Sequence, residues 1–449
     1  MMQLIDLRDR TLSRAELLSL IPRPELDPSS AAHAAGELIA AVRERGAAAL
    51  ADQAERFDGV RPQALRVEQS DIDAAVESLD PAVRRALDEA IARVRAGSAG
   101  QVPAATTTIL ASGATVTQRW QPVGRVGLYV PGGKAVYPSS VVMNAVAAQV
   151  AGVASIALAS PAQKEFGGSV HPVILGAAGL LGLTEIYAIG GAGAIGAFAY
   201  GVPELGLEPV DVVTGPGNVF VAAAKRLVQG RVGIDSEAGA TEILVIADAS
   251  ADAALVAADL VSQAEHDELA SAVLVTDSVD LVEQVGVEIA AQAARTNLAD
   301  RVAISLGAKQ SAVVLVDSLD RAVDFSNAYS PEHLEIMTTD PHATLAGIEN
   351  AGAVFLGPWT PVSLGDYMAG SNHVLPTGGT ARFASGLGAH TFLRPQQVIE
   401  YGRAALADVR ERVVALAHAE GLHAHGDAVE ARFPSDDTTD TPGSSVGRE

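Results

Sequence analysis

The sequence predicts an α/β fold built on mostly parallel sheets, and three observations carry that expectation. Residues 124 to 235 read as strands alternating with helices. A second block follows, with strands expected at Glu242 to Ala247, Ser271 to Thr276, Ser311 to Val316 and Ala353 to Leu356. Glycine-rich turns follow strands of the first block, at Gly132-Gly133, Gly190-Gly191 and Gly215-Pro216-Gly217-Asn218. Ligands of open α/β sheets sit at such carboxyl ends of strands.

Each element has its own reason. Residues 1 to 30 carry one short helical pattern, Ser13 to Leu20, with prolines beyond it. Such a segment buries little alone and is expected to pack on a partner subunit. From Ser30 to Gly97 the pattern is helical: Leu38, Ile39, Val42 and Leu50 recur at helix spacing, and residues 71 to 96 repeat this with Arg and Asp opposite. Residues 103 to 121 alternate polar and apolar around a hairpin turn at Ser112-Gly113, and Arg125 to Tyr129 is strand-like. The uncharged run Val141 to Gln163 contains Asn144, Gln149 and Pro161, so it reads as a buried helix followed by a strand at 154–159, not a membrane span. A last helical segment is expected over Pro395 to Ala419, and a disordered tail from Ser435 to Glu449.

Composition narrows the function. The chain has 449 residues, enough for two or three domains, with 48% hydrophobic and 19% charged residues, an ordinary globular balance. A net charge of -23 without a basic tract argues against binding nucleic acid or an anionic membrane by charge. There is no cysteine, which excludes disulfides, Cys-ligated zinc, iron–sulfur clusters and a thiol nucleophile. The first ten residues carry Asp6, Arg8, Asp9 and Arg10 with no apolar core behind them, so no secretion signal is read and a cytoplasmic protein is expected.

The chemistry is placed at Ser330-Pro331-Glu332-His333. An imidazole exchanges protons near neutral pH, and a carboxylate beside it can orient it or activate water. Pro331 keeps Ser330 out of helical geometry, so the pair opens a helix or leaves a tight turn. A plain helix N-terminus with favourable acidic charge is the alternative. Gln263 and His266, within a helical pattern, share a face and make half of a zinc site, although on spacing alone a solvated face serves as well. Asp366, or the crowd of His418, His423 and His425, could complete it; eight of the ten histidines lie after residue 260. Gly191-Ala-Gly193-Ala-Ile-Gly196 is a literal dinucleotide fingerprint, but the acidic candidate, Asp211, begins its strand instead of ending it.

Together these stretches resemble the histidinol dehydrogenase family. The matching segments are Gly127-Leu-Tyr-Val-Pro-Gly-Gly133, Gly215-Pro-Gly-Asn218, Ser262-Gln-Ala-Glu-His266, Ser330-Pro-Glu-His333, Gly365-Asp366, Asn372-His-Val-Leu-Pro-Thr-Gly-Gly379 and Ala419-Glu-Gly-Leu-His-Ala-His425, in the family's order. The resemblance implies a homodimeric zinc enzyme that oxidises L-histidinol to L-histidine through L-histidinal with two NAD, in the last steps of histidine biosynthesis. It implies Gln263, His266, Asp366 and His425 as zinc ligands, with His425 from the partner subunit, and Glu332 and His333 as the catalytic pair. Thr241, His373 and Glu420 would join the zinc ligands and the catalytic pair around the substrate, with Tyr129, Gly193 and Asn218 at the NAD site.

The implied fold has two incomplete Rossmann-like domains, one from 31–128 with 241–380 and one at 129–240. An N-terminal dimerisation segment (1–30) and a C-terminal helical domain (381–432) exchange across the dimer, and 433–449 is the tail. Three positions depart from the family: Gly193 replaces Gln at the NAD site, Ala240 replaces Pro before Thr241, and Gly388 stands where Ser is common.

Oxidising an alcohol to an acid removes two hydrides from one carbon. With no thiol for a covalent adduct, the aldehyde must be hydrated before the second hydride leaves. His333 is expected to take the hydroxyl proton in the first oxidation and Glu332 to activate water in the second. A zinc dehydrogenase of another small polyol on this scaffold is the nearest rival. A zinc hydrolase or a non-catalytic metal-binding protein is more distant.

Overall fold

A computed structural model describes residues 2–24, 28–132, 136–237 and 239–433. Gly133 of the first glycine turn and the tail from residue 434 lie outside the described residues. The strands, in chain order, are β1 (Gln3–Asp6), β2 (Thr106–Ala111), β3 (Ala114–Pro122), β4 (Arg125–Tyr129), β5 (Ser155–Ser160), β6 (Ile186–Ala188), β7 (Val212–Thr214), β8 (Gly233–Ile234), β9 (Glu242–Ala247), β10 (Ser271–Thr276), β11 (Ala312–Leu315), β12 (His333–Met337), β13 (Ala353–Leu356) and β14 (Leu393–Tyr401). No described helix is long and apolar enough to cross a membrane.

The chain divides into two compact units. The first comprises Met1–Val102 and Pro122–Leu393 and holds two parallel sheets, ordered β6-β5-β4-β7-β8 and β1-β11-β10-β9-β12-β13. This is the α/β architecture with two parallel sheets expected from the sequence. Strands covered on both faces are apolar without alternation, and β9 (Glu-Ile-Leu-Val-Ile-Ala) is buried at every position. The Pro138–Ala151 helix begins on a proline whose missing N–H costs nothing there, and Gly152, with φ 87°, ends it. The Ala253–Ala264 helix packs on β9 and β10, its N-terminus closed by Asp252, which accepts from Ala254 N at 2.8 Å.

Four local readings are corrected. The strand β12, between β9 and β13, is absent from the sequence-based list because His333 and Glu335 interrupt its apolar run. β1 is also absent from that list; it pairs with β11, and Leu7 directly after it and Ile21 at the end of the Arg14–Leu20 helix lie in this chain's own core. Residues 393–401 form β14, not the start of a helix; the helix begins at Arg403. His266 lies past the end of its helix, which stops at Ala264 with Glu265 as cap.

The second unit comprises Pro103–Gln121 and Arg394–Glu449. β2 and β3 form the expected hairpin, with Gly113 at φ 75° in its turn, and β14 lies beside β3. The helices Arg403–Ala419 and His423–Glu430 follow, joined through Gly421 at φ 71°.

Candidate active site

Glu332 and His333 sit where a helix turns into a strand. Ser330 ends the Leu319–Tyr329 helix in the left-handed region (φ 54°, ψ 66°), its N–H on Ser326 O at 2.7 Å and its hydroxyl on Asn327 O at 2.9 Å. Of the two geometries expected, the tight turn is the one observed. Pro331 and Glu332 then lead into β12, where His333 pairs with Ile243 of β9.

The pair therefore lies at the amino edge of the six-stranded sheet, beside Thr241 and Glu242. The turn Gly215-Pro216-Gly217 leaves the carboxyl edge of β7 in the other sheet. A cavity of about 130 Å³ is lined by Gly215, Gly217, Lys225, Thr241, Glu332 and His373, among others. It is room for one end of a small ligand, being smaller than pockets that enclose drug-sized molecules.

A hydrogen-bond chain organises this floor. Gln263 Nε2 donates to Thr241 Oγ1 (2.7 Å), and that hydroxyl donates to Glu332 Oε2 (2.6 Å). Glu242 N donates to the same carboxylate oxygen at 2.9 Å. Burial nevertheless raises the Glu332 pKa above its ordinary value, against the lowering effects of His333 and these donors. His333 Nδ1 lies 2.9 Å from Glu242 O. A carbonyl only accepts, so Nδ1 carries the hydrogen and Nε2 of the neutral ring keeps its lone pair.

The metal candidates of this unit gather beside the pair. Gln263 Oε1 is buried with no hydrogen-bond donor among the described residues, while Nε2 of the same amide donates to Thr241. The charges of Asp366 and His333 both act on His266; the crowding of protein around its ring, although part of it is solvent-exposed, lowers its pKa, and Asp366 opposes that. His373 Nδ1–H donates to Asp366 O at 3.1 Å, and Ser140 Oγ lies 3.2 Å from its Nε2. Among the described residues no three His, Cys, Asp or Glu side chains form a metal-holding group. An orphaned amide oxygen, an imidazole and a carboxylate are nonetheless donors compatible with zinc once a further ligand joins them.

The dinucleotide candidates are placed less suggestively. The buried Tyr129 hydroxyl accepts from Gly191 N at 3.1 Å, and burial pushes its pKa up to about 12. Asn218 caps the Val219–Val228 helix, its Oδ1 taking Phe220 N (3.1 Å) and Val221 N (3.2 Å), with the residue exposed. Gly193 is buried in the Gly191–Tyr200 helix, and a Cβ there would lie 2.1 Å from Gln53 Oε1. The glycine fingerprint thus serves helix packing, while Asp211 accepts from Gly124 N (2.8 Å) and Arg125 N (3.0 Å) at the opposite edge of the sheet.

Glu420 and His425 belong to the second unit. Glu420 caps the Arg403–Ala419 helix, and His425 lies in the first turn of the His423–Glu430 helix, both exposed. The His418 and His423 rings lie against each other, tilted by 44°, with centroids 4.6 Å apart.

Sequence reasoning missed Glu242, Ser140 and the buried Lys225–Asp235 ion pair under the Gly215 turn, where Gly215 N donates to Asp235 Oδ2 at 2.8 Å. Buried charges are rare enough in strands and helices to be a usable signal. Their partners, far away in sequence, are not.

The family model for histidinol dehydrogenase matches residues 21–433. Histidinol dehydrogenase of Leifsonia xyli subsp. xyli is 66% identical over 432 residues, covering 96% of this chain and 99% of that protein. That of Nocardia farcinica is 56% identical over 432 residues, covering 96% of this chain and 97% of its own. The crystal structure of histidinol dehydrogenase from Elizabethkingia anophelis superposes with a TM-score of 0.90 at 31% identity, covering 96% of this chain and 98% of that one. This chain belongs to the histidinol dehydrogenase family.

Proposed function

We propose that the protein oxidises L-histidinol to L-histidine through L-histidinal, passing two hydrides to two NAD in turn, at the end of histidine biosynthesis. The observation that carries the reading is the orientation of the catalytic pair. His333 is hung by Nδ1 from Glu242 O, leaving Nε2 as a base, and Glu332 lines the cavity beside it. Both hydrogen-bond donors to Glu332 fall on Oε2, which leaves Oε1 to take a proton.

In the first oxidation His333 Nε2 accepts the hydroxyl proton as hydride leaves the carbinol carbon, giving the aldehyde. In the second, Glu332 takes a proton from water as that water adds to the aldehyde. The hydrate anion so formed then loses its hydride to the second NAD, and the resulting acid gives its proton to His333, which has by then released its first proton to solvent, leaving the carboxylate. A positioned base of this kind contributes roughly 10²–10⁴-fold. No thiol is available for an enzyme-bound adduct, because the chain has no cysteine.

Gln263, His266 and Asp366, with His425 of a second copy, would hold a zinc ion, and Gln263 Oε1, which no donor reaches among the described residues, is free to be one of its ligands. Such an ion would supply positive charge to anchor the substrate's amino and imidazole nitrogens. Thr241, His373 and Glu420 would line the substrate site, and Tyr129, Gly193 and Asn218 the NAD site. Gly193 offers no side chain, so NAD contact there is limited to the main chain.

We further propose a homodimer in which the 381–432 region exchanges; the N-terminal segment (1–30), expected to exchange as well, has its strand β1 paired with β11 and its Arg23 bound to Glu242 within the chain. The domains would be 31–128 with 241–380 for catalysis and 129–240 for NAD. A chain with no disulfide to form suits the cytoplasm. NADH formation by the purified protein on addition of histidinol tests the reading; another small polyol oxidised in its place would indicate a related dehydrogenase instead.

A further inference from the structure

We infer that Arg23 is a positioning residue for the catalytic pair, holding through Glu242 and Tyr329 the two backbone segments from which Glu332 and His333 are hung. The inference rests on the reaction proposed above. Glu242 is the hub: its N–H donates to Glu332 Oε2 and its carbonyl accepts from His333 Nδ1, while its own side chain points away into the core.

That buried carboxylate is held by three hydrogen bonds from two residues. Arg23 Nε donates to Oε1 at 2.8 Å, Arg23 Nη2 to Oε2 at 2.9 Å, and Gly378 N to Oε1 at 2.7 Å. Arg23 Nη2 also donates to Tyr329 O at 2.5 Å, and the guanidinium carbon lies 4.0 Å from the centroid of the Tyr329 ring. Tyr329 directly precedes the left-handed Ser330 that launches the Pro331-Glu332-His333 segment. One guanidinium thus fixes the start of β9 and the approach to β12 against each other.

The chemistry requires arginine. A planar fork can grip a carboxylate with two parallel N–H bonds and still reach a carbonyl while stacking on a ring; an ammonium is a point charge. A catalytic site loses rate when a reacting group is displaced by even a fraction of its hydrogen-bond length, so the clamp acts on kcat more than on binding.

The test compares Arg23→Met and Arg23→Lys with the parent as full-length protein, after the parent has been shown to reduce NAD with histidinol. That first measurement decides the underlying reaction; the variants decide Arg23. Rates are divided by the concentration of folded sites. We expect kcat to fall about 10- to 100-fold in Arg23→Met, with Arg23→Lys between it and the parent, and KM for NAD to stay within about twofold. In a His333→Asn background, Arg23→Met should cost little further kcat, because both changes act on the same imidazole.

Should Arg23→Met fail to fold, Arg23→Met/Glu242→Gln, which leaves no unpaired buried charge, replaces it and should show the same loss. Unchanged kcat per folded site, or full additivity with His333→Asn, overturns the role and leaves Arg23 as fold support only.

Discussion

The ring of His333 is suspended from the main chain of Glu242, with Nδ1 2.9 Å from the carbonyl oxygen. That one contact sets which nitrogen is free to act as a base. His333→Asn can keep an N–H toward Glu242 O but has no lone-pair nitrogen. Its kcat with histidinol should fall roughly 10²- to 10⁴-fold with little change in KM for NAD. Steady-state kinetics check this, and a kcat within about threefold of the parent would remove His333 as the base.

Glu332→Gln separates the two oxidations. The amide can still accept from Thr241 and Glu242 N, so the floor of the cavity stays in place. Oxidation of supplied histidinal should slow more than conversion of histidinol to histidinal, as single-turnover measurements can resolve. The pH sign follows from burial, which raises the Glu332 pKa above its usual value. The base works deprotonated, so the second oxidation loses rate as pH falls through that raised pKa, and this acid limb should vanish in Glu332→Gln. Equal slowing of both steps would contradict the division of labour.

Metal content is the direct test of the ligand set. Gln263→Ala and His425→Ala should each lower the zinc retained after dialysis, and a chelator should abolish turnover that added zinc restores. Mixing the two inactive variants should recover about one working site per hybrid dimer, because Gln263 of one chain then meets His425 of the other. No recovery on mixing would count against a shared site.

Below the active site, Glu335 and Asp259 place two buried carboxyls together. No donor reaches either Glu335 oxygen among the described residues, and burial together with the Asp259 charge holds its pKa up to about 10. The folded state therefore keeps a proton that the unfolded chain releases near pH 4.5. Stability from this proton is complete below the unfolded pKa and is lost as pH rises toward the folded one, by about 1.4 kcal/mol per pH unit at most. Glu335→Gln retains a donor for Asp259 without that loss. Its melting temperature, relative to the parent, should rise steadily from pH 5 to pH 9. A difference independent of pH would show that Glu335 is ionised in the fold.

Much of this was legible because the motifs shared with the family are short and local. The Ser330 to His333 turn and the glycine turns after β4, β6 and β7 could be read residue by residue, whereas the helix face expected to carry Gln263 and His266 ends before His266. What escaped depends on distance or on broken patterns. Arg23 and Glu242 are 219 positions apart, and no periodicity links them. β12 hid behind Glu335, a charge in the middle of a buried strand, and β14 behind an exposed, largely polar sequence whose partner β3 lies far upstream. The literal glycine fingerprint, set aside in the sequence because Asp211 begins its strand, has a packing origin: Gly193 and Gly196 are small because Gln53 and Ile39 of neighbouring helices press on them.

The central claim is that one site removes two hydrides from the same carbon with no thiol adduct. The most direct measurement is the ratio of NADH formed to histidinol consumed, followed with histidine as the end product. The account predicts two NADH per histidinol, with no histidinal accumulating and no turnover once metal is stripped. One NADH per histidinol with free histidinal as the product, or undiminished turnover of metal-free protein, would contradict it.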